Sequence, residues 1–349
     1  MYDIAIVGAG PAGATLARIL GASHSVLLAD KRPAAEACAP HAPGGSKLCG
    51  GLLAPAAQKE LARQELGLPR ELLVGPQLFA VRSVDGDSGL ERRYQRHYVN
   101  IDRLAFDGWL TGLAAKVADY RPGWRLDSLE LAGPNPLLRF ETAEGGRAAC
   151  TARLVVGADG AASLIRRTLG FAAPTRYIAM QAEFTAEGGE SSYGAYFDRQ
   201  LTDHYAWSIP KAGSVLVGAA LPSGPGTTKR FNAIVEKMRI AGFGLGEESA
   251  RSAAPVVRPQ RLSDIALGRR SVALLGEAAG LISPSSAEGV SYALRSAAVL
   301  ARAIEVELRD PVAEYRRLAR PLVGEVAGKA VKARLLSSST FRAAVMLSG

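Results

Sequence analysis

The chain has 349 residues, of which 48% are hydrophobic and 21% are charged, so we expect a globular protein with about two domains. No run of about 18 apolar residues marks a membrane span, and a strand-like run begins almost at Met1, which leaves no room for a signal peptide. We therefore expect a cytoplasmic protein. The net charge is +9, but no helix-turn-helix, zinc-finger or RNP-like motif accompanies it, so we expect no nucleic-acid partner.

Cysteines and histidines are too few and too scattered to predict a metal site. Three cysteines, Cys38, Cys49 and Cys150, have neither a zinc spacing nor an even count for disulfides, so we expect free thiols. The four histidines are equally scattered. The sequence therefore predicts no metal cofactor.

The first glycine motif, GAGPAG starting at Gly8, follows an apolar run at residues 4–7 that predicts a buried parallel strand. Gly8 permits a tight turn, and Gly10 lets the backbone approach a pyrophosphate. Gly13 lets the following helix, predicted at residues 12–20, pack close to the strand with its N-terminal N–H groups facing the anion. This arrangement predicts a dinucleotide-binding turn.

Two observations narrow the choice of ligand. A strand at residues 25–29 ends at Asp30, about 20 residues beyond the glycines, where an acidic side chain accepts hydrogen bonds from ribose hydroxyls and disfavours a 2′-phosphate. Two more glycine motifs follow strand-like runs, GADG at residues 157–160 and GEAAG at residues 276–280. Three such turns converging on one long ligand predict FAD.

The remaining elements follow from apolar periodicity. Helices are predicted at residues 55–66, 103–116, 228–241 and 290–308. Strands are predicted as a hairpin within residues 77–99 and at residues 126–131, 137–142, 148–156, 177–222 and 272–275. Residues 242–259 are predicted only as a polar connection to the last strand.

The order of these elements predicts an α/β fold. It would consist of a Rossmann-like FAD-binding domain with an inserted, mainly antiparallel β-sheet substrate domain and a C-terminal helical tail. The discontinuous FAD-binding domain would comprise residues 1–75, 98–175 and 262–310. The substrate-binding domain would comprise residues 76–97 and 176–261, and the tail would comprise residues 311–349.

The predicted tail is basic and amphipathic. Residues 311–349 carry seven basic and two acidic side chains, interleaved with leucine and valine. One interpretation is a helix that covers the core and has a solvated charged face. The other is peripheral contact with an anionic membrane surface or a lipid substrate.

Several segments resemble the FAD-contacting segments of the p-hydroxybenzoate hydroxylase fold, and the resemblance spans nearly all of the chain. They are GAGPAG, the pair Asp102 and Arg103, VVGADGAASLIRR at residues 155–167 and LLGEAAGLISPSSAEGVSYALRSA at residues 274–297. Within that superfamily, two further segments are similar to the geranylgeranyl reductase family, in which a Cys-Gly-Gly lies near the flavin and an aromatic strand lies over the substrate pocket. These are KLCGG at residues 47–51 and YAWSIPKAGSVLVG at residues 205–218. The resemblance implies an FAD-binding domain of the p-hydroxybenzoate hydroxylase/glutathione reductase type.

The resemblance also implies the site residues. FAD contacts would come from Gly8, Gly10, Pro11, Ala12, Gly13, Asp30, Lys31, Lys47, Cys49, Gly50, Gly51, Arg103, Asp159, Gly160, Gly276, Glu277, Gly280, Gly289 and Val290. Substrate contacts would come from Tyr205, Trp207 and Pro284. No second GxGxxG motif follows, so NAD(P)H or another electron donor would bind only transiently.

Two positions depart from the pattern of these families. Glu277 stands where the superfamily usually has aspartate, which keeps the charge and adds a methylene. Ile209 stands where the prenyl-reductase strand has phenylalanine. The second difference affects the expected substrate more than the fold.

Three functions remain open at this point, and we expect the first. In a reductase, hydride passes from reduced flavin to a carbon–carbon double bond of a prenyl-type or other apolar substrate. In a monooxygenase, reduced flavin captures oxygen, and an aromatic or olefinic small molecule is hydroxylated. In the third, the chain is a non-catalytic FAD-binding protein at the membrane surface.

Cys49 is the candidate catalytic acid of the reductase. Its neighbours Lys47, Gly50 and Gly51 favour a reactive thiol, because basic side chains and main-chain N–H groups stabilise a thiolate. The alternative is that Cys49 is a small buried side chain that only packs.

Overall fold

The computed structural model describes residues 1–33, 48–188, 191–307 and 309–348. The chain forms two eight-stranded sheets with helices packed against them and a helical C-terminal segment. The α/β class and the second, mainly antiparallel sheet predicted from the sequence are confirmed.

The elements are numbered here in chain order over the described ranges. The strands are β1 (Tyr2–Val7), β2 (Val26–Asp30), β3 (Leu52–Leu53), β4 (Leu78–Asp85), β5 (Glu91–Asn100), β6 (Asp119–Pro122), β7 (Arg125–Glu130), β8 (Leu137–Glu141), β9 (Arg147–Gly157), β10 (Arg176–Ala186), β11 (Tyr193–Phe197), β12 (Ala206–Lys211), β13 (Ser214–Pro222), β14 (Leu245–Val257), β15 (Gly268–Arg269) and β16 (Val272–Leu274). The α-helices are α1 (Pro11–Leu20), α2 (Pro55–Arg63), α3 (Arg103–Ala115), α4 (Leu164–Thr168), α5 (Thr227–Ile240), α6 (Val290–Val306), α7 (Pro311–Leu318), α8 (Arg320–Leu336) and α9 (Ser339–Ser348).

β1 lies near the centre of the first sheet. It pairs in parallel with β2 on one side and with β9 on the other, and β9 pairs in parallel with β16. Every side chain of β2 is buried, as expected for a parallel sheet with both faces covered, so its apolar run is continuous rather than alternating. Because β1, β9 and β16 run in the same direction, the three glycine motifs that follow them lie at one edge of the sheet.

The second sheet has the strand order β14-β10-β13-β12-β11-β4-β5-β3. β4 and β11 pair in parallel, and the other pairs are antiparallel. Helix α5 covers one face through Phe231, Ile234 and Met238. The residues of a separate apolar cluster, Tyr193 and Ile209 among them, line the opposite face.

β14 corrects one prediction. Residues 245–257 form a thirteen-residue strand rather than a polar connection. Most of its side chains are exposed because β14 lies at the edge of the sheet, so its sequence has no apolar alternation. Its position is fixed by backbone pairing with β10, for example Tyr177 opposite Val256.

Two helices end two or three residues earlier than predicted. α2 ends at Arg63 rather than at residue 66, and Glu65 adopts a left-handed conformation with φ of 56°. A non-glycine residue in that conformation cannot continue a helix. α6 ends at Val306.

The C-terminal segment contacts both sheets. In α8, Leu322 and Val326 are buried in the core beneath the first sheet. In α9, Arg342 is 3% exposed and donates from Nη2 to Asp85 Oδ1 at 2.8 Å, with Asp87 as a second ion-pair partner. Asp85 ends β4, so α8 and α9 connect the first sheet to the second.

Candidate functional site

The GAGPAG turn has little room for side chains at two of its glycines. A Cβ on Gly8, whose φ is 105°, would lie 2.4 Å from the carbonyl oxygen of Ala158, and one on Gly13 would lie 1.9 Å from that of Gly8. At Gly10, by contrast, no atom lies within 4 Å of a Cβ. Gly10 therefore leaves open the side from which a ligand would approach.

The start of α1 is also available to an anion. Pro11 occupies its first turn, Ala12 is buried behind it, and no described side chain caps the helix at Gly10. The unpaired N–H groups of the first turn can therefore bind phosphate.

Asp30 organises the end of β2. Its Oδ2 accepts a hydrogen bond from Ala9 N at 2.6 Å, and its Oδ1 accepts from Arg32 Nε at 3.0 Å. Burial opposes the charge, but the bonds from Arg32 outweigh it and lower the pKa of Asp30. Arg32, which is not among the predicted site residues, also donates to Ala9 O at 3.3 Å, whereas Lys31 is exposed.

Asp159 and Gly160 lie beyond the end of β9. Asp159 Oδ2 accepts from Leu164 N at 2.8 Å, whereas its Oδ1 is buried and has no partner among the described residues. Burial raises the pKa of this carboxyl. Gly160 has a φ of 73°, and no atom lies within 4 Å of a Cβ there, so the backbone at Gly160 faces open space.

The GEAAG turn is held to the second sheet. Gly276 and Gly280 have φ values of 51° and 78°, and a Cβ on Gly280 would lie 2.3 Å from Asp264 O. Glu277 is buried, and its Oε1 accepts from Val257 N of β14 at 2.9 Å. One carboxylate oxygen of Glu277 thus positions the turn against β14.

The loop before α6 contains the next predicted residues. Gly289 directly precedes the helix, and Val290 is its first residue and is buried. The side chain of Glu288 caps the helix by accepting from Ser291 N at 2.7 Å. Pro284 is buried, and its carbonyl accepts from Arg258 Nε at 3.2 Å.

Helix α3 joins the glycine turn to Cys49. Thr111 Oγ1 donates to Ala9 O at 3.1 Å, and Arg103 Nε donates to Asp107 Oδ1 at 2.7 Å. Arg103 also interacts electrostatically with the side chain of Cys49. Burial opposes the charge of Arg103, but Asp107 and Cys49 together raise its pKa.

The segment from Cys49 to Gly51 packs closely against β12. A Cβ on Gly50 would lie 2.1 Å from Ile209 Cδ1, and one on Gly51 would lie 2.9 Å from Lys211 Nζ. The thiol is free and half-buried. Lys47, predicted beside it, lies outside the described residues.

Two aromatic residues of the predicted substrate strand share a face. The Trp207 indole lies flat on Gly218 of the neighbouring strand, where a Cβ would come within 2.3 Å of the ring. Its centroid is 6.2 Å from that of Tyr205. Tyr205 accepts a hydrogen bond from Tyr193 at 3.1 Å and donates to Ser286 O at 3.3 Å, so it reaches the loop before α6.

Lys211 continues the alternation of Tyr205, Trp207 and Ile209, although it is not among the predicted site residues. Its Nζ donates to Asn100 Oδ1 at 2.5 Å and to Ile101 O at 3.1 Å. Burial lowers its pKa to about 8, and the electrostatic interaction with Cys49 partly opposes that shift. Extending the alternation by one step would have found it.

The structure thus brings together the glycine turn, Asp30, Arg103 and Cys49, and it places Tyr205 and Trp207 on the sheet face that Gly50 contacts. Within the described ranges, no cluster of three or more potential metal-ligating side chains occurs. No helix in those ranges is both long and apolar enough to cross a bilayer.

Solved structures with the same fold include FAD-dependent enzymes. A geranylgeranyl bacteriochlorophyll reductase-like protein from Thermoplasma acidophilum superposes with a TM-score of 0.81 over 98% of this chain and 89% of its own, at 18% identity. The p-nitrophenol 4-monooxygenase PnpA from Pseudomonas putida gives a TM-score of 0.77 over 100% and 93%, at 17% identity. The chain therefore shares its overall fold with these two proteins.

Relatives of similar length identify the family. No family model matches the chain. Protein CbrA of Escherichia coli (strain HS) is 40% identical over 355 residues, which cover 100% of this chain and 93% of the relative. Protein CbrA of Shigella sonnei is 40% identical over 356 residues, with 100% and 97% covered. With this identity over its whole length, the chain belongs to the CbrA family.

Proposed function

We propose that this protein is an FAD-dependent oxidoreductase that reduces carbon–carbon double bonds of a prenyl-type or other apolar substrate. One observation carries the proposal: the segment from Cys49 to Gly51 lies between the dinucleotide-type turn and the aromatic face. Helix α3 links the segment to the turn, because its Arg103 interacts with Cys49 and its Thr111 donates to Ala9 O. Ile209 packs against the segment from the aromatic face. A proton donor there would adjoin both cofactor and substrate.

The described residues fit FAD. Gly10 and the start of α1 are open to a pyrophosphate. Both oxygens of Asp30 already accept hydrogen bonds from Ala9 and Arg32, so a ribose hydroxyl would have to replace one of these donors. The buried Asp159 Oδ1 lacks a partner that a ligand hydroxyl would supply. When bound, FAD supplies the hydride, and NAD(P)H or another donor would renew it from solution.

The chain's own residues would provide the rest of the chemistry. Trp207 and Ile209 offer an apolar wall on the sheet face that Gly50 contacts, which favours an apolar chain and excludes water. Burial raises the pKa of Tyr193 and of Tyr205, so both hydroxyls stay neutral donors at physiological pH. The Cys49 thiol would give its proton to the carbon next to the one that receives hydride.

A monooxygenase is the second candidate. The fold shared with p-nitrophenol 4-monooxygenase favours it, because that protein's name assigns hydroxylation of an aromatic ring to the same architecture. A third candidate is an FAD-binding protein without catalytic activity. It would bind the flavin but would neither reduce a prenyl-type substrate nor hydroxylate an aromatic one.

The test begins with the flavin. The purified protein should be yellow and should release FAD, not FMN, on denaturation. A colourless protein that fails to bind added FAD would rule out all three candidate functions.

The reaction is then tested with a chemically reduced enzyme and a prenyl alcohol under nitrogen. A product heavier by two hydrogens, seen by mass spectrometry, supports the reductase. Oxygen-18 label from O₂ in an aerobic product, with no saturated product under nitrogen, would establish the monooxygenase instead. Trp207→Ala serves as the matched variant, since it should weaken substrate binding while FAD content stays unchanged.

A further inference from the structure

We propose that Gln181 binds the hydroxyl group of the substrate, so that the substrate is an apolar alcohol. This inference rests on the proposed function, because it takes the aromatic face, which carries Tyr205 and Trp207, as the wall of the substrate site. Gln181 lies in the middle of β10, and its role would be to fix the polar end of an otherwise apolar chain.

Gln181 lies on the same sheet face as Trp207. Its neighbours along β10, Met180 and Ala182, belong to the apolar cluster beneath α5, so the alternation of a strand directs Gln181 to the opposite face. Gln181 is opposite Gly218 in the sheet, and Gly218 is opposite Trp207. Side chains that are directly opposite each other share a face. Gln181 therefore belongs to the aromatic face.

The sheet beside Gln181 is lined by very small residues. Gly218 has no side chain, and the Trp207 indole lies over it. One step along the same face, Ala179 is opposite Ala220. These three positions give an apolar floor, with the Gln181 amide on one side and Trp207 on the other.

The amide of Gln181 has an unsatisfied acceptor. The residue is 9% exposed, and its Oε1 is buried without a hydrogen-bond partner in the described ranges. Burying a carbonyl oxygen without a donor costs free energy, and a methionine would fill the same space without that cost. The floor of small residues alone would not indicate a ligand. The unsatisfied oxygen does, because a donor on a ligand would supply its missing hydrogen bond.

A hydroxyl is the donor that fits this oxygen. Gln181 Oε1 is a neutral acceptor, so it has no proton to donate to a phosphate or a carboxylate. Glu183, two residues further along the same face of β10, adds a carboxylate whose Oε1 accepts a hydrogen bond from Ser214 at 2.6 Å. That carboxylate would repel an anion. An ammonium at Gln181 Oε1 would be a buried charge bonded to a neutral group, which is costly.

Trp207 connects this oxygen to the Cys49 segment. From β10 to β12 the distance is two strand spacings, about 10 Å, and the indole spans part of it by lying on Gly218. Trp207 Nε1 also lies 3.8 Å from the position of a Cβ on Gly50. An apolar chain held at Gln181 by its hydroxyl would therefore cross Trp207 towards Cys49.

The test measures binding and needs no reaction. The probes are 1-decanol and its methyl ether, which lacks the hydroxyl proton, and neither has a double bond to reduce. The variant is Gln181→Met, which keeps the length of the side chain and removes the carbonyl acceptor. Gln200→Met, at an exposed position between β11 and β12, is the matched control. Each FAD-loaded protein is titrated with each probe by isothermal titration calorimetry.

We expect the wild type to bind 1-decanol at least about tenfold more tightly than the ether, because only the alcohol satisfies the buried oxygen. In Gln181→Met the two probes should bind alike, whereas Gln200→Met should keep the wild-type preference. Three results would overturn the proposal: a wild type that binds no 1-decanol or does not prefer it to the ether, a preference that survives in Gln181→Met, and tighter binding of decanoate or decylamine than of 1-decanol.

Stability and FAD affinity test the other uses of the oxygen. Without any alcohol, the urea midpoint of FAD-loaded Gln181→Met should equal or exceed that of the wild type, because the unsatisfied oxygen is gone. A lower midpoint would mean that Gln181 is bonded within the fold, and a loss of about tenfold in FAD affinity would assign the oxygen to a hydroxyl of the cofactor. Either result overturns the proposal. If 1-decanol binds as expected but the reduced enzyme saturates no prenyl alcohol, the proposed function fails and the role of Gln181 stands.

Discussion

The two halves of the site are assembled in different ways. At the glycine turn, the functional groups are backbone atoms within one strand–turn–helix unit, and the nearest side-chain partner, Asp30, is 21 residues from Ala9. Around Cys49, the contacts join distant segments: Lys211 bonds Asn100 across 111 positions. Local spacing therefore specifies the first half, whereas only the packing of the two sheets creates the second.

The largest expected effect tests the glycine turn, the half of the site that local spacing specifies. In Gly13→Ala, the new Cβ would lie 1.9 Å from the backbone oxygen of Gly8, so α1 must move away from β1. We expect the free energy of unfolding to fall by about 4 kcal/mol or more, since neither partner is a flexible side chain. Urea unfolding followed by circular dichroism measures the loss.

Gly10→Ala is the matched control for that change, because no atom lies within 4 Å of its Cβ. Its stability should match the wild type, while FAD affinity should fall by about tenfold or more, since the methyl group occupies the approach of the pyrophosphate. Equal stability of the two variants would show that the packing at Gly13 does not hold the turn together.

The next effect tests how the distant contacts hold the second sheet. Arg342→Met leaves Asp85, which is fully buried, without its cation. We expect a loss of about 3 to 4 kcal/mol, as for other broken buried ion pairs. Denaturant unfolding gives the value, and a double variant with Asp85→Leu should recover most of it.

Arg317→Met is the comparison variant, because its partner Glu314 is on the same helix and Arg317 is exposed. Its free energy of unfolding should stay close to that of the wild type, because solvent screens an exposed ion pair. If Arg342→Met lowers the free energy of unfolding as little as Arg317→Met does, this ion pair does not hold α9 against β4.

The same contrast explains how far the sequence predicted the molecule. The glycine motifs, Asp30 and the order of elements around the first sheet were predictable, because buried parallel strands are continuous apolar runs ending in glycine turns. β14 was not predictable. An edge strand with exposed side chains has no apolar pattern of its own, and its position is set by backbone pairing with the neighbouring strand.

The candidate site shows the same limit at the level of single residues. The predicted contacts of Cys49 with FAD and substrate stay predictions. Arg32 and Lys211 were missed because their roles depend on which carboxylate or thiol folds against them. Only the alternation along β12 offered a signal for Lys211.

The next smaller effect is the pH dependence of stability that a buried histidine of the second sheet, His204, should cause. His204 is buried and stacks on Tyr205 with ring centroids 4.6 Å apart. Burial, aided by the charge of Arg258, lowers its pKa from 6.5 to about 4. Between those values the unfolded chain binds a proton that the folded chain does not, so stability falls as pH falls from about 6.5 to 4.

We expect this linkage to remove about 2 to 3 kcal/mol between pH 7 and pH 4. His204→Phe keeps the stacked ring and should lose less stability over the same range, as measured by urea unfolding at each pH. His97→Phe, at an exposed position, should behave like the wild type. A wild-type pH dependence in His204→Phe would contradict the assignment.

The smallest expected effect concerns peripheral contact of the tail with anionic lipid, which we keep as a proposal. Four of its seven basic side chains are already engaged within the fold: Arg317 with Glu314, Lys329 with Glu325, Arg334 with Gln260 O, and Arg342 with Asp85. Arg316, Arg320 and Lys332 remain exposed, and near Lys332 the apolar side chains of Val331 and Leu335 are 56% and 45% exposed.

Because each exposed cation near a lipid surface contributes about 1 kcal/mol, we expect weak binding to phosphatidylserine vesicles that weakens further as salt rises. Lys332→Gln combined with Leu335→Gln should reduce co-sedimentation without releasing FAD, since neither side chain contacts the candidate site. Truncation of the tail is unsuitable, because it also removes the buried Leu322 or Arg342. Binding that is insensitive to salt, or absent, would leave α8 and α9 with the single role of covering the core and fastening the first sheet to the second.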